Sequence, residues 1–166
     1  MDVDGVLTDG RLYYSPDSQG GVAENKGFSS QDGLALRWIQ EIGGVQLGWI
    51  SGRESPAVVE RARTLKVAYL YQSHLAKLGP YEEILRRSGV KEEEVCYIGD
   101  DFTDAPILAR VGLPVAVANA RPEIKARARY VTRAPGGSGA VREVIELLMR
   151  AQGTWPIVLR QYGLAE

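Results

Sequence analysis

Two aspartates near the start of the sequence, Asp2 and Asp4, have a spacing that could support chemistry, and Gly5 follows them directly. On an extended strand, residues i and i+2 point to the same face, so both carboxylates would aim at one spot. Gly5 lets the backbone turn away sharply and leaves both acids at a strand end. Crowded carboxylates persist only where a cation lies between them or one holds a proton. The alternative interpretation is an Asp-Gly turn with solvated acids.

A second acidic cluster favours the chemical interpretation over the plain turn. It contains Asp100, Asp101 and Asp104, and it follows an apolar segment at 95–98 that is predicted to be a strand. Carboxylate oxygens favour a hard cation, and Mg²⁺ commonly binds one or two carboxylates together with a substrate phosphate. The two acidic clusters therefore predict a Mg²⁺ site for a phosphorylated substrate.

At such a site, Asp2 could attack phosphorus as a nucleophile and form an aspartyl-phosphate. Asp4 could protonate the leaving oxygen and later take a proton from the attacking water. Phosphoryl transfer also needs cationic and hydroxyl groups around the phosphoryl oxygens, and Lys77 and Ser51 are suitable residue types. Taken alone, each has a plainer interpretation, as a solvated lysine and as a helix-capping serine.

The elements that would position these residues alternate between strands and helices. Strands are predicted at 45–50, 67–71, 95–98, 113–118 and 130–132, with helices at about 32–42, 56–65, 74–88, 104–111, 122–129 and 139–152. This alternation predicts an α/β fold with a doubly wound, mainly parallel, Rossmann-like sheet. Ligands of such sheets bind at the carboxyl ends of the strands, which is where the candidate residues would gather.

A β-hairpin is predicted directly after the acidic turn, at about 11–28, around a loop rich in turn-forming residues. The 166 residues fit one domain, 1–166, that ends in a tail at about 153–166. Only Met1 precedes Asp2, so the first strand is expected to be cut short. The tail could reach a neighbouring subunit or pack on its own domain.

The composition excludes several classes of protein. A net charge of -1, with 45% hydrophobic and 25% charged residues, is typical of a soluble globular protein and leaves no basic field for nucleic acid or for a membrane surface. No apolar run is long enough to span a bilayer. One cysteine and one histidine cannot form a disulfide or a Cys/His zinc site. The expected location is the reducing cytoplasm.

Four segments of the chain together resemble the motifs of the haloacid dehalogenase superfamily of phosphatases. They are Asp2-Val-Asp-Gly-Val-Leu-Thr-Asp-Gly, Ser51-Gly-Arg, Lys77 and Gly99-Asp-Asp-Phe-Thr-Asp. A narrower likeness is to a capless subgroup, in which a β-hairpin replaces the cap domain and four subunits associate. It is carried by Phe28-Ser-Ser-Gln-Asp-Gly, Tyr97-Ile-Gly-Asp-Asp, Tyr130-Val-Thr-Arg and Gly136-Gly-Ser-Gly-Ala-Val-Arg-Glu. The subgroup's substrate is 3-deoxy-D-manno-octulosonate 8-phosphate, a precursor in lipopolysaccharide synthesis.

The resemblance implies a role for each matching residue. Asp2 would be the nucleophile, Asp4 the acid/base, and Ser51 and Lys77 would hold the phosphoryl oxygens. Mg²⁺ would be bound by Asp2, the backbone carbonyl of Asp4 and Asp100, with Asp101 and Asp104 just outside the ligand set. The sugar acid would contact Asp32, Gly52, Arg53 and Arg61, and an arginine fork suits its carboxylate. Arg61 could equally be an exposed helix residue.

Two alternatives to this function remain open. Within the phosphatases, the substrate could be a nine-carbon sialic-type sugar acid 9-phosphate, although Arg53 after Gly52 favours the eight-carbon acid. From a different class, the chain could be a non-catalytic homologue that serves in oligomerisation or binding. The presence of all four motifs speaks against this second alternative, and the short first strand keeps it open.

Overall fold

The computed structural model describes residues 1–165 and confirms the alternating α/β architecture. Its strands are β1 (Tyr13–Pro16), β2 (Val22–Asn25), β3 (Gly48–Ile50), β4 (Tyr69–Tyr71), β5 (Cys96–Gly99), β6 (Leu113–Ala116) and β7 (Tyr130–Val131). Its helices are α1 (Ser30–Glu41), α2 (Pro56–Thr64), α3 (Leu78–Ser88), α4 (Ala105–Leu108), α5 (Pro122–Lys125), α6 (Ala140–Ala151) and α7 (Trp155–Gln161). Two 3₁₀ turns lie at Glu92–Glu94 and Phe102–Asp104.

The sheet has two parallel parts, β3–β4 and β5–β6–β7, which the first two residues join. The Met1 amino group donates a hydrogen bond to the Gly48 carbonyl at 2.8 Å, and the Ile50 N–H donates to the Met1 carbonyl at 3.1 Å. On the other side, the Asp2 N–H donates to the Ile98 carbonyl at 3.0 Å. Met1 and Asp2 thus occupy the position of a central strand, and Asp2 lies at the carboxyl edge of the sheet.

An apolar cavity of about 480 Å³ lies beside Met1, between β3 and β5. Its walls include Ile39, Ile84, Val95 and Leu148. Burial here lowers the pKa of the Met1 amino group from 8.0 to about 6. Within the part of the chain that the structure describes, Met1 and Asp2 make the only backbone hydrogen bonds that join the two parts of the sheet.

The core is apolar on both faces of the sheet. The buried residues of the sheet include Val3, Trp49, Ile98 and Val115. Because parallel strands are covered on both faces, their sequences are near-continuous apolar runs. Helix α1 packs along α6, and α3 packs against α4 and β3. None of the helices within residues 1–165 is long and apolar enough to cross a lipid bilayer.

The structure adds to the sequence prediction at the third helix and at the C-terminal tail. The third helix was expected from His74, with Gly79-Pro80 able to delay or kink its start, and α3 does begin later, at Leu78, because Pro80 suits the first turn of a helix. The tail forms a helix, α7, that packs on this same chain. The Trp38 ring stands edge-on to Trp155, with centroids 5.9 Å apart, and the Trp38 indole N–H donates to the Tyr162 hydroxyl at 3.2 Å.

Candidate active site

The loop that follows Asp2 is shaped by backbone geometry. Gly5 has φ +90°, and a Cβ there would lie 2.1 Å from Oδ2 of Asp100, so only glycine fits. The Val3 N–H donates to Oδ1 of Asp2 at 2.7 Å, which orients that carboxylate. The acidic loop and the second acidic cluster are therefore in direct contact, as parallel strands with a shared carboxyl edge require.

The glycine-rich segment before α6 packs directly on this loop. A Cβ on Gly136 would lie 1.8 Å from the Gly5 carbonyl oxygen. Asn119 joins the two segments, because its amide donates to the Gly5 carbonyl at 3.0 Å and accepts from the Gly136 N–H at 2.6 Å. The Gly137 N–H donates to the Val6 carbonyl at 3.0 Å. The glycine-rich segment thus fixes the loop through close backbone contacts, and these contacts leave no space for a side chain.

Three carboxylates meet at the edge of the sheet. One oxygen each from Asp2, Asp100 and Asp104 lies within 4.8 Å of the others. Burial and the neighbouring charges raise the pKa of Asp100 to about 8 and that of Asp2 to about 6. Oδ1 of Asp100 is buried and has no hydrogen-bond partner among residues 1–165. This crowded, incompletely satisfied set of oxygens suits a hard divalent cation.

Lys77 supplies the positive charge next to this cluster. Its buried ammonium lies 2.8 Å from Oδ1 of Asp2 and 2.7 Å from Oδ1 of Asp104. Burial alone would lower the pKa of Lys77, but the two carboxylates outweigh it and raise the pKa above its usual value. Lys77 occupies the residue position just before α3, which brings it to the same edge of the sheet.

Asp104 is fully engaged by protein donors. Oδ1 accepts from Lys77 and from the Tyr97 hydroxyl at 2.8 Å, while Oδ2 accepts from the N–H groups of Asp100 and Asp101 at 2.9 and 3.3 Å. These contacts leave Asp104 little capacity for a ligand. Its role in this geometry is to hold Lys77 and the backbone of Asp100 in place.

The Asp4 carboxylate contacts other groups than the Asp2 carboxylate does. Its Oδ2 accepts from the Ser51 hydroxyl at 3.2 Å, and its Oδ1 pairs with Lys26. Lys26 follows β2 of the hairpin, and its ammonium also lies 3.1 Å from Oε1 of Glu24. Although burial raises the pKa of Glu24, hydrogen bonds from Arg53 and Lys26 hold that pKa below its usual value.

A cavity of about 550 Å³ opens at the base of the hairpin, on the far side of Lys26. Its lining combines the hairpin, the acidic loop and the glycine-rich segment, and includes Asp9, Tyr13, Phe28 and Ser138.

The structure places the remaining candidate residues at the edges of the site. Gly52 packs under Leu75, since a Cβ would lie 2.8 Å from Cδ2 of that leucine. The Arg53 guanidinium pairs with Glu24. The Arg61 guanidinium lies over the Phe28 ring, 5.7 Å from its centroid.

Two acids do structural work here that differs from their predicted roles. The buried Asp32 carboxylate accepts from the N–H groups of Gly139 and Arg142, at 3.3 and 2.8 Å, and so caps α6. The exposed Asp101 caps a 3₁₀ turn by accepting from the Phe102 N–H at 2.7 Å. Because these oxygens are already used locally, a sugar contact for Asp32 and a place near the metal for Asp101 stay predictions.

Sequence reasoning missed Glu24, Lys26, Tyr97 and Asn119. A signal did exist for the first two, because residues two apart on a strand share a face, and an Asp-rich loop needs cations near it. No local pattern marks Tyr97 or Asn119, whose partners lie 7 and 114 residues away in the chain.

Comparisons with known proteins fit this geometry. The profile of haloacid dehalogenase-like hydrolases matches residues 62–145. The 3-deoxy-D-manno-octulosonate 8-phosphate phosphatase KdsC of Escherichia coli (strain K12) is 42% identical over 153 residues, which cover 92% of this chain and 79% of that protein.

Solved structures agree with these sequence matches. The phosphatase of the same description from Yersinia pestis is 42% identical, with a TM-score of 0.87 over 93% of this chain and 81% of that one. The corresponding enzyme of Moraxella catarrhalis, in complex with a magnesium ion, a phosphate ion and KDO, is 35% identical. Its TM-score is 0.91 over 98% of this chain and 90% of that one.

Proposed function

This chain belongs to the haloacid dehalogenase-like hydrolases, and from that premise we propose that it is a Mg²⁺-dependent phosphatase of 3-deoxy-D-manno-octulosonate 8-phosphate. Its family and relatives make it a phosphoric monoester hydrolase. The product would be the free sugar acid, for lipopolysaccharide precursor synthesis. A cytoplasmic location, expected from the single cysteine, belongs to the same proposal.

The arrangement of Asp2 between Lys77 and the other carboxylates is the observation that carries the proposal. The Val3 N–H and the Lys77 ammonium both contact Oδ1 of Asp2, which fixes the carboxylate and leaves Oδ2 to attack phosphorus. Lys77 contacts Asp2 and Ser51 contacts Asp4, and from these positions they would hold the phosphoryl oxygens. Fixed charges and donors that need no reorganisation are what phosphoryl transfer requires.

The proton transfers fall to Asp4. As the bond between phosphorus and the sugar oxygen breaks and the bond to Asp2 forms, a proton moves from the Asp4 carboxyl to the leaving oxygen. Water then attacks phosphorus and gives a proton to the Asp4 carboxylate. Phosphate leaves, and Asp2 is regenerated as a carboxylate.

The residues fit Mg²⁺ because Oδ1 of Asp100 is buried without a partner and lies in a cluster of carboxylate oxygens. Asp2, Asp100 and the backbone carbonyl of Asp4 would hold the ion. When bound, it would neutralise charge on the carboxylates and on the phosphoryl group. Asp104 would support the site indirectly through Lys77 and the Asp100 backbone.

The substrate class is supported by two cationic groups near the site. Arg53 is half-exposed, and its pairing with Glu24 would have to loosen before it could bind a carboxylate. Arg61 lies over the Phe28 ring. Kinetics on the eight-carbon 8-phosphate and on a nine-carbon sialic-type 9-phosphate would decide between the two acids, and higher kcat/KM on the nine-carbon acid would reject the proposed substrate.

We further propose that the active form is a homotetramer built through the hairpin. Tyr14 and Val22 on one face of the hairpin are 60% and 69% exposed, and Leu12, two residues before Tyr14, is also exposed. A contiguous set of exposed apolar side chains is typical of a protein–protein interface. The hairpin would then be fixed over the active site by a neighbouring subunit.

Phosphate release from 3-deoxy-D-manno-octulosonate 8-phosphate tests the function directly. We expect release with Mg²⁺, no release with EDTA, and loss in Asp2→Asn, an isosteric change that removes the nucleophile. Lys66→Met, at an exposed lysine, is a suitable control, and we expect its activity to be unchanged. Failure of the folded, Mg²⁺-loaded protein to release phosphate would reject the proposed substrate.

A further inference from the structure

Lys26 is the most deeply buried charged side chain of the hairpin, and neither the sequence motifs nor the proposed roles account for it. Its side chain is 1% exposed, although the hairpin around it is open to solvent. A lysine is rarely buried unless it is paired, and here it is paired with two carboxylates, Asp4 and Glu24. Ordering a long lysine side chain in this way costs entropy, so the contact calls for an explanation.

The contacts of Lys26 converge on Asp4. Lys26 pairs with Oδ1 of Asp4, while the Ser51 hydroxyl donates to Oδ2. The carboxyl group is therefore held at both oxygens, by the hairpin on one side and by the loop after β3 on the other. Rotation of the Asp4 side chain would break at least one of these contacts.

Lys26 is itself held in place by a second ion pair. Oε1 of Glu24 lies 3.1 Å from the Lys26 ammonium, and the other Glu24 oxygen, Oε2, pairs with Arg53. Glu24 and Lys26 are two residues apart at the end of β2, so both point inward. The four side chains form a continuous alternation of charge from the entrance of the site to Asp4, with no net charge.

We propose that Lys26 is the positioning residue for Asp4, and that through it the hairpin orients the acid/base toward the leaving oxygen. This inference rests on the proposed phosphatase function. In the step that this positioning serves, the proton moves from the Asp4 carboxyl to the leaving oxygen. In this proposal Lys26 contacts Asp4 and Glu24 and does not bind the phosphoryl group.

If Lys26 acts through Asp4, the rate lost on removing Lys26 should depend on the leaving group. A sugar alkoxide is a poor leaving group that needs a proton from Asp4 as the bond breaks. The p-nitrophenolate ion is a good leaving group that departs without one. Loss of Lys26 should therefore impair formation of the aspartyl-phosphate from the sugar phosphate far more than from p-nitrophenyl phosphate.

The test is rapid-mixing kinetics of Lys26→Met and the wild type with both substrates and Mg²⁺. For the sugar phosphate, we expect kcat to fall by about 100-fold with little change in KM, in the range of a lost general acid. For p-nitrophenyl phosphate, the rate of the first-turnover burst of p-nitrophenolate should change by less than about threefold. Lys66→Met is the matched control and should change neither rate.

Two further variants keep the test informative if Lys26→Met folds poorly. Lys26→Arg keeps the charge and should restore part of the lost kcat. Glu24→Gln removes the group that holds Lys26 and should show a smaller loss with the same dependence on the leaving group.

Three results would overturn the proposal. Equal losses on both substrates would make Lys26 a purely structural residue, and a raised KM at constant kcat would make it a substrate ligand. Unchanged kinetics in all three variants would show that Asp4 is oriented without the hairpin.

The wild type separates this proposal from the proposed function. A wild type that hydrolyses p-nitrophenyl phosphate but not the sugar phosphate rejects only the proposed substrate, and β-glycerophosphate then replaces the sugar phosphate in the test. A wild type that hydrolyses no phosphate ester rejects both proposals.

Discussion

The substitution Tyr97→Phe removes one buried hydroxyl and so tests how much its hydrogen bond to Asp104 stabilises the protein. The Tyr97 side chain is buried at 2% exposure, and its hydroxyl donates to Oδ1 of Asp104 at 2.8 Å. Phenylalanine keeps the ring and its packing. The variant therefore changes a single hydrogen bond to a charged acceptor, inside the network that fixes Lys77.

The size of the effect follows from the partners that remain. A buried hydrogen bond to a charged group contributes about 1.5–3 kcal/mol to stability. Asp104 keeps three other donors, namely Lys77 and the N–H groups of Asp100 and Asp101, so we expect a loss near the middle of that range, about 2 kcal/mol. For a chain of this size, that corresponds to a fall in Tm of about 4–8 °C.

The chain provides a matched control in Tyr81→Phe. The Tyr81 side chain is buried at 3% exposure, but its hydroxyl has no hydrogen-bond partner among residues 1–165. Removal of an unsatisfied buried hydroxyl should leave stability unchanged or raise it by up to about 1 kcal/mol. The same chemical change at two buried tyrosines should thus have different consequences.

Urea unfolding of both variants in metal-free buffer at pH 7 measures this difference. We expect the two free energies of unfolding to differ by about 2–3 kcal/mol, with Tyr97→Phe the less stable. A difference below about 0.5 kcal/mol would refute the assignment of the hydroxyl of Tyr97 as a support of Asp104.

Two further predictions concern the loop and the hairpin. Gly136→Ala should abolish phosphatase activity and lower the free energy of unfolding by about 3 kcal/mol, because its Cβ would meet the Gly5 carbonyl oxygen; calorimetry and the phosphate assay check this. Tyr14→Glu combined with Val22→Glu should convert tetramers to smaller species in analytical ultracentrifugation, and an unchanged sedimentation coefficient would contradict a hairpin interface.

The fold was predictable because its signals are local. Apolar runs that alternate with capped amphipathic segments predicted the parallel α/β sheet, and the solved relatives share that fold. Errors fell at element ends, as at the start of α3, where Pro80 decided between competing positions. The helical form of the tail was also missed, because its stability comes from packing on Trp38 rather than from its own seven residues.

The sequence by itself determined which residues gather at the carboxyl edge of the sheet. Asp2, Asp4, Ser51, Lys77 and Asp100 each follow a predicted strand, and the topology of parallel sheets brings strand ends together whatever their separation in the chain. In the structure, these residues do lie around one loop. Their chemical roles stay predictions, which rest on residue type and on the family resemblance.

Only the tertiary structure decided what each of these groups contacts. It turned Asp32 toward the first turn of α6, and it brought Lys26 from the hairpin to Asp4, 22 residues away in the chain. Hydrogen bonds and ion pairs depend on ångström-scale distances between side chains whose positions are set by the packing of the whole domain. A sequence pattern can suggest that a cation lies near the acidic loop, but it does not specify those distances.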